Sequence, residues 1–259
     1  CHTAARYFLL NNRGAIAPGY LGDFVIIDNF NDFNIEMVFK RGELMYDGQL
    51  RDFPTPEIDP YLVKRAHDTF HLTKLTAEDF KDGRPHAIIG LVPGEIISED
   101  AGYIDHIDVE YDILKVAVIE RHKNTHHIGL GYIKGYGLKS GAVATSISHD
   151  SHNIIVVGTN EEEMAAAANR IVENHGGITV MENGNVLGEV TLAIAGIMSD
   201  DPLVMVNSAL ESAKDEAFRL GVSRDIDPFM TLSFMALPVI PTLRITTRGV
   251  FDVNTQRYI

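Results

Sequence analysis

Residues 149–153 read His-Asp-Ser-His-Asn, with one apolar run ending near Ile147 and another resuming at Ile154. Two imidazoles, a carboxylate and an amide in five positions could bind a metal ion or hydrogen-bond a heterocyclic base. The outcome depends on local geometry. If Asp150-Ser151 forms a two-residue turn, His149 and His152 become opposed neighbours on one face, ~5 Å apart. If the segment runs extended, they point to opposite faces and cannot act together. The plain alternative is a turn whose Asp150, Ser151 and Asn153 bond backbone amides while the histidines cap strand ends. In the chemical reading Asp150 is a candidate catalytic group, and His149, His152 and Asn153 are candidate substrate contacts.

A second constellation is Glu120-Arg121-His122, at the end of the β-branched run 113–119. Residues at alternate positions share a face, so Glu120 could orient the His122 imidazole for proton transfer. Both are candidate catalytic residues; the competing reading is a surface ion pair involving Arg121. His126 and His127 face apart on any regular element and read as loop residues. The stretch Gly129 to Gly141 lacks both G-x-G-x-x-G spacing and a terminal Gly-Lys-Ser/Thr, which excludes a phosphate loop. Close backbone packing or a mobile lid accounts for its glycines, and its tyrosines read as half-buried sheet residues.

The elements that must position these groups follow from periodicity. Residues 2–10 suit the end of a helix, with Ala5, Phe8 and Leu9 on one face, broken by Asn11-Asn12 and Gly14. Short strands are predicted over 24–27, 35–39 and 44–46, with a tight turn at Arg41-Gly42-Glu43. Three strands are too few for an independent sandwich and expect partners from elsewhere. Pro54, Pro56 and Pro60 mark a linker. Beyond it, Thr76 to Asp79 resembles a capping box, and strands are predicted over 87–97 (interrupted at Pro93-Gly94), 113–119, 142–147, 154–157 and 186–194. One helix follows Asn160, with Met164, Ala168, Ile171, Val172 and His175 at helical spacing. Another follows Asp201-Pro202, its buried stripe formed by Leu203, Val206, Leu210, Ala213 and Ala217. Mixed elements of this kind predict an α/β or α+β layered domain, with a mixed sheet and packed helices, preceded by part of a small β-sandwich.

Composition narrows the partners. The 259 residues carry a formal net charge of −14, which disfavours nucleic acid and anionic membranes. The single cysteine, Cys1, permits neither an intrachain disulfide nor a CxxC site and fits the cytoplasm. No run approaches the ~18 apolar residues of a membrane span. The chain begins with Cys and runs straight into a helical pattern, which reads as part of something longer.

Two ordered sets of motifs carry a family resemblance. The segment Arg13-Gly14-Ala15-Ile16-Ala17-Pro18-Gly19-Tyr20-Leu21-Gly22-Asp23-Phe24-Val25-Ile26-Ile27 resembles the exit from the barrel in amidohydrolase-superfamily enzymes. Gly22 stands there where Ala is usual, and Leu9 stands where a Gly is expected after the aromatic. In order after it come Glu120-Arg121-His122, Gly129 to Gly141, Ser146 to Asn153, Val156 to Asn160, Ala195 to Asp200 and Phe234 to Pro241. Together these resemble the C-terminal domain of adenine deaminases.

The resemblance implies a hydrolase converting adenine to hypoxanthine and ammonia in purine salvage, with manganese or iron bound by a His-x-His pair, further His and carboxylates of a (β/α)8 barrel. No His-x-His pair occurs here, and no barrel of ~200 residues fits before residue 10, so no metal ligand carries over. The implied organisation is a remnant of the last barrel helix (1–12), part of a composite sandwich (13–53), a linker (54–60) and the C-terminal domain (61–259). The expected partners are adenine, the missing barrel and further copies in a homo-oligomer; the chain alone is expected to be inactive. Two alternatives stay open. One is a non-catalytic module that closes the active site or forms an oligomer interface, and the other is an amidohydrolase acting on another cyclic amide or amidine.

Overall fold

The computed structural model describes residues 1–52 and 56–259. The proposed sandwich limit at residue 53 and the linker positions 54 and 55 lie outside the described residues. The chain divides into two compact units, Cys1–Ile58 and Asp59–Ile259.

The first unit holds helix α1 (His2–Tyr7) and an antiparallel sheet of β1 (Phe24–Ile27), β2 (Ile35–Lys40) and β3 (Glu43–Tyr46). The helix is shorter than the pattern predicts. Of the expected apolar face only Ala5 is buried, while Phe8 and Leu9 are exposed. Asp23, at the mouth of β1, accepts from Arg13 Nη1 (2.6 Å), Lys40 Nζ (2.9 Å) and the Arg41 amide (2.8 Å). It therefore pins the β2–β3 turn. Val25, Ile26, Ile35 and Met37 remain exposed on this sheet.

The second unit begins with α2 (Pro60–His67), which Asp59 caps by accepting from the Tyr61 amide at 2.8 Å. The strands β4 (His86–Leu91), β5 (Ser98–Ile104), β6 (Ile113–Ile119), β7 (Ile128–Lys134), β8 (Ala142–Thr145), β9 (Ile154–Gly158), β10 (Gly177–Glu182) and β11 (Asn185–Thr191) form one sheet. Its order is β11-β10-β8-β9-β6-β7-β4-β5, with β4 and β7 parallel and the other pairs antiparallel. This is the mixed, layered α/β architecture expected from the sequence. Period-2 alternation sorts the two faces. On β6, Leu114, Val116 and Val118 join one core, and Ala117 and Ile119 the other; on β9, Ile155 and Val157 oppose Ile154 and Val156 in the same way.

Helix α3 (Glu161–Glu173) covers the second face with Met164, Ala168 and Ile171, and Asn160 caps it by accepting from the Glu163 amide at 2.8 Å. His175, expected on its buried stripe, lies beyond the helix end and is exposed. The capping box at Thr76 forms, but it opens only a single 3-10 turn, Ala77–Phe80. Lys115, buried on this face, donates to Phe80 O (3.0 Å) and Glu161 Oε1 (2.5 Å).

The first face is covered by α4 (Leu203–Arg219), α5 (Pro228–Met235) and a small sheet of β12 (Leu243–Thr246), β13 (Gly249–Asp252) and β14 (Arg257–Tyr258). Ala213 and Ala217 are buried on α4 and Val206 and Leu210 half-buried, but Leu203 is 82% exposed, which shortens the predicted stripe. The small sheet approaches β7 closely at Gly129, with Val250 and Ile245 packed over Gly131. A Cβ on Gly129 would stand 1.8 Å from Thr246 O, so close backbone approach explains this glycine. The 129–141 stretch is thus core rather than lid. Tyr132 and Tyr136, expected to be half-buried, are fully buried, and Tyr136 Oη donates to Pro228 O at 2.9 Å. Among the described residues no helix is long and apolar enough to cross a membrane.

Candidate functional site

Antiparallel pairing of β6 with β9 places Ile119 opposite Ile154. The loop leaving β6 and the turn entering β9 therefore lie together at one end of the central strands. Both constellations singled out by sequence meet there.

The 149–153 segment turns rather than running extended. The His152 amide donates to Ser148 O at 2.6 Å, and His152 takes a left-handed backbone conformation (φ 49°). The imidazoles of His149 and His152 face each other with ring centroids 6.4 Å apart. On its other side His149 stacks nearly parallel on Phe234, at 5.8 Å. His149 Nδ1 is paired with the Asp150 carboxylate, which leaves Nε2 free. Asn153 is buried; its Oδ1 accepts from the Arg121 amide (3.3 Å) and its Nδ2 donates to Ser151 Oγ (3.1 Å). Burial, with Arg121 and His149 nearby, lowers the pKa of His152.

Glu120 and His122 meet by a different route from the one alternation suggests. The Glu120 carboxylate accepts the amides of His122 (2.6 Å), Lys123 (2.9 Å) and Thr125 (3.0 Å) and the Thr125 hydroxyl (2.9 Å). Burial alone would raise its pKa, but these four donors outweigh burial and hold it at about 2. A carboxyl so occupied is a loop anchor and a poor proton donor. The His122 imidazole instead donates from Nε2 to Ser151 O at 2.8 Å, which joins the two constellations and fixes the tautomer.

The residue that organises the site is Arg121, expected at the surface and found 1% exposed. Its Nε donates to His152 O (2.5 Å), Nη1 to Thr69 O (2.9 Å) and Oγ1 (3.1 Å), and Nη2 to Ala195 O (2.8 Å). Phe70 covers the guanidinium face at 4.2 Å. Three separate segments thus converge on one cation that has no carboxylate partner among the described residues, and burial lowers its pKa to about 10. Ser146 adds a fourth tie, accepting from the Gly177 amide (2.7 Å) and donating to Gly196 O (2.5 Å). The only sequence signal for Arg121 was its place directly after an apolar strand.

Beside the turn lies a cavity of about 390 Å³. It is lined by Val118 and Ile245, by Ala236 to Val239, by Asp150, Ser151 and Asn153, and by Thr246 and Thr247. The Phe234-to-Pro241 stretch, notable in sequence only as a motif, supplies both part of this lining and the ring against His149. Among the described residues no group of three or more His, Cys, Asp or Glu side chains could hold a metal ion. His126 and His127 are exposed in the loop after Glu120.

The fold and site define a layered α/β domain that presents a braced histidine turn above an apolar cavity. Residues 95–257 match the family model of the adenine deaminase C-terminal domain. The adenine deaminase of Dehalococcoides mccartyi is 40% identical over 98% of this chain and 46% of the relative. Adenine deaminase 2 of Carboxydothermus hydrogenoformans is 40% identical over 97% of this chain, and adenine deaminase 1 of Rhizobium johnstonii 42% over 97%, each across 45% of the relative. The chain belongs to the adenine deaminase family. It spans about half the length of the curated relatives it matches.

Proposed function

We propose that this chain is the C-terminal portion of an adenine deaminase. With a (β/α)8 barrel supplied by the rest of the polypeptide, it hydrolyses adenine to hypoxanthine and ammonia. The observation that carries the reading is the likeness to proteins named adenine deaminase, about 40% identity over 97–99% of the chain. The same reading makes the protein a homo-oligomeric, cytoplasmic enzyme of purine salvage. A lone cysteine and a net charge of −14 fit a reducing compartment and a small-molecule substrate.

In the intact enzyme a divalent ion, manganese or iron, would supply an activated water. The described residues do not fit that ion. His149 Nδ1 is held by Asp150, His122 Nε2 by a carbonyl, and Glu120 by four donors. No hydrolytic step is therefore assigned to these side chains. Their contribution is to bind and position, through the turn that Arg121 braces beside the cavity.

Ammonia release from adenine should be measured on the intact polypeptide and on the 259-residue chain in parallel, with manganese(II) or iron(II). Turnover is expected from the intact polypeptide alone, and robust turnover by the chain would refute the reading. If the intact protein hydrolysed hydantoin or dihydroorotate and left adenine untouched, another amidohydrolase specificity would replace it. Manganese or a chelator should move the melting temperature of the chain by less than about 1 °C, since only a ligand bound to the folded state shifts it.

A second reading, assembly without chemical duty, draws on Leu203, Val204 and Met205, which are all exposed in the first turn of α4. Replacing His149 and His152 singly by Ala in the intact protein separates the two. Lost turnover at unchanged melting temperature supports the binding role, and unchanged turnover supports assembly.

A further inference from the structure

We infer that helix α2 of one copy docks in an acidic-rimmed apolar groove beside α5 of a second copy, closing two chains into a two-fold dimer. Among the described helices α2 alone buries none of its residues. Tyr61, Leu62 and Val63 are exposed on it, and Lys64 and Arg65 follow directly. Neither cation has an ion-pair partner among the described residues. A helix this short is marginal in water without packing. It is held by the Asp59 cap at one end and by the Ala195 amide, which donates to Ala66 O at 2.6 Å, at the other.

The groove lies between the 91–96 segment and α5 and has a volume of about 210 Å³. Val92, Ile226, Met230 and Phe234 make it apolar, and Glu95, Asp225 and Asp227 are the only charged residues in its lining. Asp227 is already satisfied, by Lys214 Nζ (2.9 Å) and by the amides of Phe229 (3.0 Å) and Met230 (2.9 Å). Glu95 and Asp225 are exposed and make no ion pair among the described residues. Two unpaired carboxylates beside an apolar slot thus complement two unpaired cations beside an apolar ridge. Helices α2 and α5 have eight residues each, or about 12 Å, so one can lie along the other. In a chain of net charge −14, self-association needs such a local reversal of sign.

A chain cannot fill its own groove. Ala195, which holds the end of α2, is bound by Arg121 just past the end of β6. Leu91 follows Gly90, which pairs with Lys134, which pairs in turn with Ile113 at the start of β6. The length of β6 therefore separates the two surfaces by roughly 20 Å. A two-fold axis that sets two copies side by side and antiparallel brings each α2 over the other copy's groove and makes both contacts at once. Matching charge and length commit the occupant to a second copy rather than to the rest of the polypeptide. This interface deepens the homo-oligomeric part of the functional reading and rests on it, but not on the reaction.

The test is sedimentation velocity of the 259-residue chain and of the intact polypeptide, with two charge-reversed variants of each. One carries Lys64→Glu and Arg65→Glu, the other Glu95→Lys and Asp225→Lys. Wild type is expected to dimerise, and each variant alone to associate at least about tenfold more weakly, because both contacts then oppose like charges. An equimolar mixture of the two variants should recover the dimer, since both contacts again pair opposite signs. All four positions are exposed, so each variant should melt within about 2 °C of wild type. Monomeric wild type, association unmoved by either reversal, or a mixture that stays monomeric would overturn the inference. A dimer of the chain that disappears in the intact polypeptide would also overturn it, by giving α2 to the N-terminal portion. A monomeric intact protein that deaminates adenine sinks only this interface. Charge-swapped dimers of a protein inert towards adenine sink only the enzymatic reading.

Discussion

Replacing Arg121 by Met keeps most of the apolar stem and removes the cation that joins residue 69, residue 152 and residue 195. Three main-chain carbonyls, on Thr69, His152 and Ala195, lose their donors at once. Hydrogen bonds from a charged group contribute about 1.5–3 kcal/mol each, so the gross loss is roughly 5–9 kcal/mol. Against this, the buried guanidinium has no carboxylate partner among the described residues, and relief of its desolvation returns several kcal/mol. The net expectation is a loss of about 2–4 kcal/mol. At roughly 2–4 °C per kcal/mol for a unit of this size, the melting temperature should fall by about 5–15 °C. Hydrogen exchange supplies the discriminating readout, because it locates the damage. Protection should drop together in segments 66–72, 148–153 and 194–198, while the β10–β11 hairpin keeps its own. A loss below about 0.5 kcal/mol, or deprotection confined to one segment, would refute the account of Arg121 as a shared brace.

Glu120→Gln removes a carboxylate held at about pKa 2 by four donors. Because the folded value is depressed, its stabilisation is full above the unfolded value of about 4.3 and is lost as pH falls towards 2. Urea unfolding should therefore show wild type ahead by about 1 kcal/mol at pH 7, with the gap closing below pH 4; a constant gap would contradict this. His152 carries the opposite charge logic, since burial lowers its pKa and the unfolded chain binds a proton more readily. Its contribution is intact above about pH 6.5 and is lost as pH falls through the folded value. His152→Gln should accordingly lose less melting temperature than wild type between pH 7.5 and 5.5, and an equal loss counts against a buried neutral imidazole. Gly129→Ala places a methyl where Thr246 O already stands and should cost more than about 3 kcal/mol in urea unfolding; a cost below 1 kcal/mol would show that the small sheet yields.

The legible parts of the fold were those with local causes. The strands at 24–27, 113–119 and 154–158, and the helix after Asn160, declare themselves through apolar period and caps. Some overlooked elements had usable signals. Asp59-Pro60 and Asp227-Pro228 each open a helix in which Asp accepts main-chain amides, and Asn183-Gly184, both at positive φ, makes the β10–β11 hairpin. The short strands β12 to β14 gave less, since much of their burial comes from lying on β7. In the site, the turn at 149–153 was visible as a possibility, because its residue types favour turns. The occupation of Glu120 by four donors was not visible, nor was the burial of Arg121. The burial of Arg121 depends on segments 31 to 74 residues away, which only the assembled sheet brings together. Glu120 is instead held by donors two to five residues on, through a loop conformation that alternation does not predict.

The contact of Gly129 and Gly131 with the small sheet has a consequence for protein engineering. A Cβ at Gly131 would stand 2.7 Å from Val250, and one at Gly129 would meet main chain. The two sheets that carry Val118 and Ile245 therefore meet main chain to main chain at Gly129 and, at Gly131, main chain to the Val250 and Ile245 side chains. Side-chain layers repack when substituted, but a main-chain joint has nothing to repack. The span between these two residues is consequently fixed hardware, while the 150–153 and 236–239 loops are the adjustable parts. A library that varies this cavity should be confined to those loops, and core substitutions along β7 should yield losses of folding rather than altered lining.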